Sequence, residues 1–301
     1  MTANSTYGQV GAPTSSIYFK DLAASTTAIG RELLYLAKNK VEEHFDGAEI
    51  VYGDTDSIFV NFHPKDELGN PLKGKDALKR SIDLGVQAEE YIQPFLKKPH
   101  KLEYEKTFLP FILFSKKRYI GNKYEFDISN YKQTSMGIVL KRRDNAEIVK
   151  HVYGGILDII MNEKNIEKSI DFCRQELNKL LAGKFPLDML IITKSLRGYY
   201  KNPNQIAHKV LADRIGVRDP GNKPNSTDRI PYIFIENNKA ILQGDKIETP
   251  SYIIENNINP DYMYYITNQI MNPVCQIYSL ILETLNEYNL GKNYYANKYD
   301  I

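Results

Sequence analysis

Apolar positions along this chain switch repeatedly between helical and strand spacing, and each switch predicts a change of structure. Ile29, Leu33, Leu36, Ala37 and Val41 recur at helical spacing. They predict one long helix, started by Pro13 and Thr14-Ser15-Ser16 and closed at Gly47. Glu49 to Phe62 then reads as two apolar runs around Gly53-Asp54-Thr55-Asp56, the pattern of two buried strands joined by a tight turn. A polar loop follows from His63 to Gly74. Helical spacing returns from Lys75 to Lys98 (Leu78, Ile82, Val86 and Ile92 inward), bent or ended at Pro94.

Residues 101–140 read as strands. Lys101 to Phe108 alternates, with Leu102, Tyr104, Lys106 and Phe108 on one face and Glu103, Glu105 and Thr107 on the other. Phe111 to Phe114, Lys116 to Gly121, Lys123 to Phe126 and Gln133 to Leu140 continue an antiparallel meander with short Gly/Asn turns. At Lys141-Arg142-Arg143-Asp144-Asn145 the composition shifts, and Asp144 or Asn145 can cap a helix carrying Ile148, Val152, Ile156 and Ile160. Further helices are expected over Asn165–Leu181, Asn204–Ile215 and Asp261–Tyr288, the last broken at Pro273 and followed by a polar tail. Leu190 to Leu196 and Arg229 to Ile235 read as strands, with Pro231 pushing the second toward a sheet edge. Gly216 to Asp228 is a loop. The fold class is α+β: an antiparallel sheet with packed helices, then a mostly helical half.

Composition narrows this picture. A chain of 301 residues has room for two domains. No apolar run approaches the ~20 residues of a membrane span, and no signal-peptide pattern opens the chain. The two cysteines, Cys173 and Cys275, lie in helical patterns and read as core fillers. That argues against disulfide scaffolds and cysteine zinc sites and for a reducing compartment. The five histidines lack metal-ligand spacing. The net charge is only +2, yet Ser115–Lys150 holds nine basic against four acidic residues, and Lys194–Arg229 eight against three. Two basic stretches in a near-neutral chain fit a polyanion bound on one face.

Candidate chemistry centres on Asp54 and Asp56. Residues two apart on extended backbone point the same way, so both carboxylates can meet one Mg²⁺. A solvated turn is the plainer alternative for a bare Asp-X-Asp. Lys116-Lys117-Arg118 could be a solvated edge or a grip on backbone phosphates. Tyr7 and Tyr119 can pack on sugars or bases. Glu103 and Glu105 suit a strand's wet face equally well.

Taken in order, the motifs resemble those of family B DNA polymerases, in the C-terminal part of such an enzyme. Tyr52-Gly53-Asp54-Thr55-Asp56-Ser57 is similar to motif C of the palm, and Asn4-Ser5-Thr6-Tyr7-Gly8 to the end of motif B on the fingers. Lys116-Lys117-Arg118-Tyr119 is similar to the primer-template grip. Lys141-Arg142-Arg143-Asp144 and Asp228-Arg229-Ile230-Pro231-Tyr232 resemble palm-to-thumb and thumb signatures. The resemblance implies the end of the fingers and a palm helix over residues 1–46, palm over 47–140 and thumb over 141–301. It implies that Asp54 and Asp56 hold two Mg²⁺ about 3.5–4 Å apart, with Glu105 as an auxiliary acid. Asn4, Tyr7 and Gly8 would meet the incoming dNTP. Lys116, Lys117, Arg118 and Tyr119 would hold primer-template DNA, with Arg143 and Lys194 as thumb-side phosphate contacts.

The departures from the pattern carry expectations too. The family's triphosphate-binding lysine falls four residues before Asn4, ahead of Met1. Motif A, the exonuclease domain and the cysteine-rich C-terminal modules of cellular enzymes are not found. The expectation is a chain inactive alone that works with an N-terminal polymerase segment and with a processivity factor. Its setting would be intracellular, at the nuclear or cytoplasmic replication site of a large DNA virus. A non-catalytic DNA-binding remnant and an Asp-X-Asp glycosyltransferase are the alternatives.

Overall fold

The computed structural model describes residues 2–237 and 239–282, so the end of the last predicted helix and the polar tail lie outside the described residues. The chain divides into two units, Met1–Phe111 with Gly121–Thr134, and Ile112–Ile120 with Ser135–Ile301. The fold is α+β with small antiparallel sheets, as expected. Among the described residues no helix is long and apolar enough to cross a membrane.

The first unit opens with α1 (Thr2–Gly11) and α2 (Lys20–His44). The expected helix start at Pro13–Ser16 instead falls in the turn between them. There the Ser15 hydroxyl accepts the Ile17 N–H at 3.3 Å, and the Ala12 carbonyl accepts the Ser15 N–H at 2.9 Å. The hydroxyl that could cap a helix serves this turn, so α2 begins only at Lys20. Of the predicted stripe, Ala37 and Val41 are buried and Ile29 is exposed. Only the C-terminal half of α2 meets a core, formed with Ala88 and Ile92 and flanked by Ile50, Ile58 and Val60. The helix closes as expected, with Gly47 at φ 73°.

β1 (Glu49–Asp54) and β2 (Ser57–Asn61) pair antiparallel, Ile50 opposite Val60 and Asp54 opposite Ser57, with a bulge between Ile50 and Tyr52. These strands were expected to be buried. They are half-buried instead: Ile50, Ile58 and Val60 pack on the core of α2 and α3, while Glu49 and Val51 are exposed. α3 (Gly74–Ile92) buries Leu78, Ile82, Ala88 and Ile92 and runs into a 3-10 turn over Gln93–Phe95, where Pro94 ends the α-helical ladder. The predicted strand over Lys101–Lys106 forms no ladder. The Tyr104 N–H donates to Glu89 Oε2 at 2.7 Å, and its ring lies where a Cβ on Gly85 would be, 2.6 Å from Cδ2. Its alternating side chains dock on α3, and pairing starts at Thr107.

β3 (Thr107–Ser115), β4 (Arg118–Tyr124) and β5 (Lys132–Met136) form a three-stranded sheet in that order. Lys116-Lys117 is a two-residue turn, which only an antiparallel pair allows. Lys117 takes the left-handed backbone, φ 60°. The stretches expected as separate strands at Lys116–Gly121 and Lys123–Phe126 are one strand, and the Lys-Lys pair is its turn.

The second unit is built around α4 (Glu147–Asp158), whose Ile148, Val152, Ile156 and Leu157 lie in one large core. Its predicted cap does not form: Arg142 donates twice to Asp144, at 3.0 and 2.8 Å, and Asn145 donates to the Val139 carbonyl. α5 (Ile166–Leu181) is capped by Asn165, which accepts the Lys168 N–H at 2.9 Å. β6 (Ile192–Ser195), β7 (Arg229–Phe234) and β8 (Ile247–Glu248) form a sheet with β7 central. Pro231 therefore does not sit in an edge strand. β6 pairs with Arg229–Tyr232 and β8 only with Ile233 and Phe234, so Pro231 meets a partner on one side alone and its missing N–H costs no bond.

α6 (Ala207–Arg218) precedes the Gly/Pro/Asn loop, and α7 (Pro250–Glu255) and α8 (Tyr262–Tyr264) follow β8. A π-helical stretch, Tyr265–Ile270, leads into α9 (Met271–Leu282). Pro273 does not break this region: it follows directly on the switch from the π-helical stretch to α9, and the helical run continues through it. Cys173 is buried, as a core filler should be, but Cys275 is exposed on α9.

Candidate active site and nucleic-acid surface

The acidic pair of the first unit stands at the reversal of the β1–β2 ribbon. Asp54 ends β1, while Thr55 and Asp56 form the turn. The sequence argument placed both acids on extended backbone, but here chain reversal brings them to one end of the ribbon. Thr55 holds φ 53°, a conformation costing a residue with a Cβ about 1–2 kcal/mol. Hydrogen bonds tie the turn together: Asp56 N–H to Asp54 O at 2.6 Å, Ser57 Oγ to Asp54 O at 3.1 Å, and Thr55 Oγ1 to Asp54 Oδ1 at 3.0 Å. Asp54 is half-buried and Asp56 exposed. Phe59 of β2, on the face opposite Ile58 and Val60, stacks on Phe108 and Phe111 of β3, with ring centroids 6.1 and 5.5 Å away, and holds the ribbon from that side.

Two carboxylates at a tip suit Mg²⁺, which is commonly held by one or two carboxylates while water and substrate phosphates complete its shell. Among the described residues no group of three or more His, Cys, Asp or Glu could hold a metal ion. Glu105 belongs to no such group among the described residues. Its exposed carboxylate is bound to Lys106 Nζ at 2.9 Å, since the segment docked on α3 and turned it to solvent. Asn4, Tyr7 and Gly8 all lie on α1. Tyr7 is exposed, and a Cβ on Gly8 would meet nothing within 4 Å.

The cationic residues belong to the second unit. Lys116 and Lys117 form the exposed β3–β4 turn, and Arg118 is half-buried, donating to Gln276 Oε1 at 2.8 Å. Tyr119 is buried, so its ring anchors β4 rather than offering an open stacking face. Arg143 is exposed. Lys194 is exposed on β6 opposite Ile230. Arg142's hydrogen bonds chiefly, and the more distant Lys194 ammonium as well, hold the Asp144 carboxyl below its usual range.

Sequence reading missed one set of residues here. Burial first, then the charges of Lys194 and Arg197, lower the His208 pKa. Arg197, Tyr199 and Lys201 carry the available signal, an aromatic interleaved with bases inside the second basic stretch.

The first unit thus carries an acidic hairpin tip and the second a cationic turn. The family model for DNA polymerase family B matches residues 1–281. The chain belongs to DNA polymerase family B. It is 60% identical over 285 residues to a DNA polymerase of Pyramimonas orientalis virus, covering 94% of this chain and 23% of that protein. A DNA polymerase of Acanthamoeba polyphaga mimivirus is 49% identical over 247 residues, covering 80% of this chain and 14% of that protein. The DNA polymerase delta catalytic subunit of Glycine max is 34% identical, covering 95% of this chain and 26% of that subunit. The solved family B polymerase of Pyrobaculum calidifontis shares the fold at TM-score 0.61 and 22% identity, over 91% of this chain and 32% of that one. The chain thus spans about a quarter or less of the length of these curated relatives.

Proposed function

We propose that this chain contributes the acidic hairpin and the DNA-gripping surfaces of a DNA-directed DNA polymerase that adds nucleotides to a primer 3′-hydroxyl. The observation that carries this is the match to the family across residues 1–281 with Asp54 and Asp56 at the ribbon's reversal. In this reading Asp54 and Asp56 hold Mg²⁺. Bound there, the metal supplies activation of the primer hydroxyl and stabilisation of charge on the triphosphate. Thr55 fixes the Asp54 carboxylate, and Phe59, Phe108 and Phe111 keep the tip from shifting. Asn4, Tyr7 and Gly8 of α1 receive the dNTP. Lys116, Lys117 and Arg118 hold the primer-template, and Arg143 and Lys194 take further phosphates.

The same reading makes residues 1–46 the end of the fingers with a palm helix, 47–140 palm and 141–301 thumb. The chain spans about a quarter or less of its curated relatives, so a further polymerase segment that completes the centre is a proposed partner. The viral relatives' higher identities favour a large DNA virus as its origin, with work at an intracellular replication site. A processivity factor is a further proposed partner. Membership of the family sets the glycosyltransferase reading aside.

The test is primer extension with Mg²⁺ and dNTPs, using this chain combined with the remaining segment of its polymerase. Extension by the combination and not by either part supports the reading. DNA binding without extension by the combination would favour a non-catalytic remnant.

A further inference from the structure

Arg118 opens β4 directly after the left-handed Lys117, and its side chain is half-buried between three parts of the second unit. Along the stem, Cγ would lie 3.1 Å from a Cβ on Gly137, closer than a side chain there would ordinarily allow. On another side its charge reaches Tyr153 of α4, whose phenol burial pushes up to about 12 while the Arg118 cation pulls it back. At its end Nη2 donates to Gln276 Oε1 of α9 at 2.8 Å, 158 positions further along the chain.

Val274, Ile277 and Tyr278 of α9 are buried in the core of that unit, and the Tyr278 hydroxyl lies 3.1 Å from Ser169 Oγ of α5. The helix is therefore seated without help from a ligand, while Gln276 itself is exposed. A guanidinium has donors only, so the amide must turn its oxygen toward Arg118. No carboxylate pairs with Arg118 among the described residues. The choice of partner has a chemical consequence. A carboxylate in that place would hold the guanidinium more tightly, yet cancel the charge that a phosphate is to meet. A neutral amide fixes the direction and leaves the charge, with the remaining N–H groups, for an anion.

We propose that Gln276 is a positioning residue for the DNA grip: its side-chain carbonyl holds the Arg118 guanidinium in one orientation with its charge intact, so that α9 sets how Arg118 meets the primer-template. This rests on the polymerase reading, in which Arg118 holds DNA, and adds the residue that aims it. A long side chain fixed before the duplex arrives loses less rotamer freedom on binding.

Fluorescence anisotropy of a labelled primer-template duplex with the 301-residue chain, at several salt concentrations, tests the role. Gln276→Ala is expected to weaken binding about 3- to 10-fold at unchanged salt slope, since no charge is lost. Gln276→Glu keeps an acceptor but pairs the cation. It is expected to weaken binding and to shallow the dependence of log K on log salt by about one. With Arg118→Ala already in place, Gln276→Ala is expected to cost nothing further. Gln276 is exposed, so matching thermal melts establish that its variants are folded. Gln276→Ala that binds as the unsubstituted chain does, or that weakens binding as much without Arg118 as with it, overturns the positioning role alone. Arg118→Ala that binds as tightly as the unsubstituted chain removes Arg118 from the grip and the role with it. An unsubstituted chain that binds no duplex overturns the role and the polymerase reading together.

Discussion

Thr55 donates its hydroxyl to the Asp54 carboxylate across 3.0 Å, at the residue whose left-handed backbone makes the ribbon reverse. Turn geometry and the orientation of the proposed metal ligand thus depend on one side chain. Thr55→Val keeps the shape and branching and removes only the hydroxyl. In the assembled enzyme it should raise the Mg²⁺ concentration for half-maximal extension about 3- to 10-fold. Duplex affinity should not change. Metal titration at saturating DNA measures this.

The cationic turn depends in the same way on Gly137. Its φ is 63°, and a Cβ there would collide with the Lys117 carbonyl. Gly137→Ala forces the β3–β4 turn to move. It should cost about 1–3 kcal/mol of stability and weaken duplex binding together with it. Urea denaturation and anisotropy on the same preparation test the pair of effects.

How much of this was legible in sequence varies with the distance over which each signal acts. The Asp54-Thr55-Asp56 reversal, the helix from Asn165 and the Gly47 closure are local, and they read correctly. Errors arose where a distant partner took a group that looked committed. Arg142 drew Asp144 from its expected cap, and Glu89 took the Tyr104 N–H that a ladder would have used. Pro231 sits in a central strand because its neighbours occupy different halves of β7, which no local pattern encodes. At the candidate site, charge was legible and exposure was not: Tyr119 is buried and Tyr199 projects.

Glu176 of α5 is nearly buried, with Lys179 Nζ at 2.6 Å and His151 Nε2 at 2.8 Å. Burial alone would raise its pKa, but these two partners outweigh burial and hold it below the ordinary value of 4.5. A depressed folded pKa contributes stability above the unfolded value and loses it as pH falls through the folded one. The chain should therefore lose stability progressively below about pH 4.5. Glu176→Gln should be less stable near neutrality, with the gap to the unsubstituted chain narrowing in acid. Melting temperatures from pH 7 down to pH 3 show whether it does.

Glu248 is 2% exposed and accepts from Arg218 at 2.7 Å and Arg214 at 3.5 Å, tying α6 to β8. Arg218 also lies 3.7 Å above the Tyr252 ring. Glu248→Gln leaves two guanidinium groups without their counter-charge. Both arginines keep some solvent contact, so the loss should be about 2–4 kcal/mol, below that of a fully buried pair. The midpoint of urea unfolding reads it directly.

Single-turnover incorporation by the assembled polymerase, with DNA saturating and Mg²⁺ present, tests the acidic reversal most directly. Asp54→Asn with Asp56→Asn should slow incorporation at least about 10³-fold while duplex affinity stays within about twofold of the unsubstituted chain. Incorporation at the unsubstituted rate by that double variant would contradict the account.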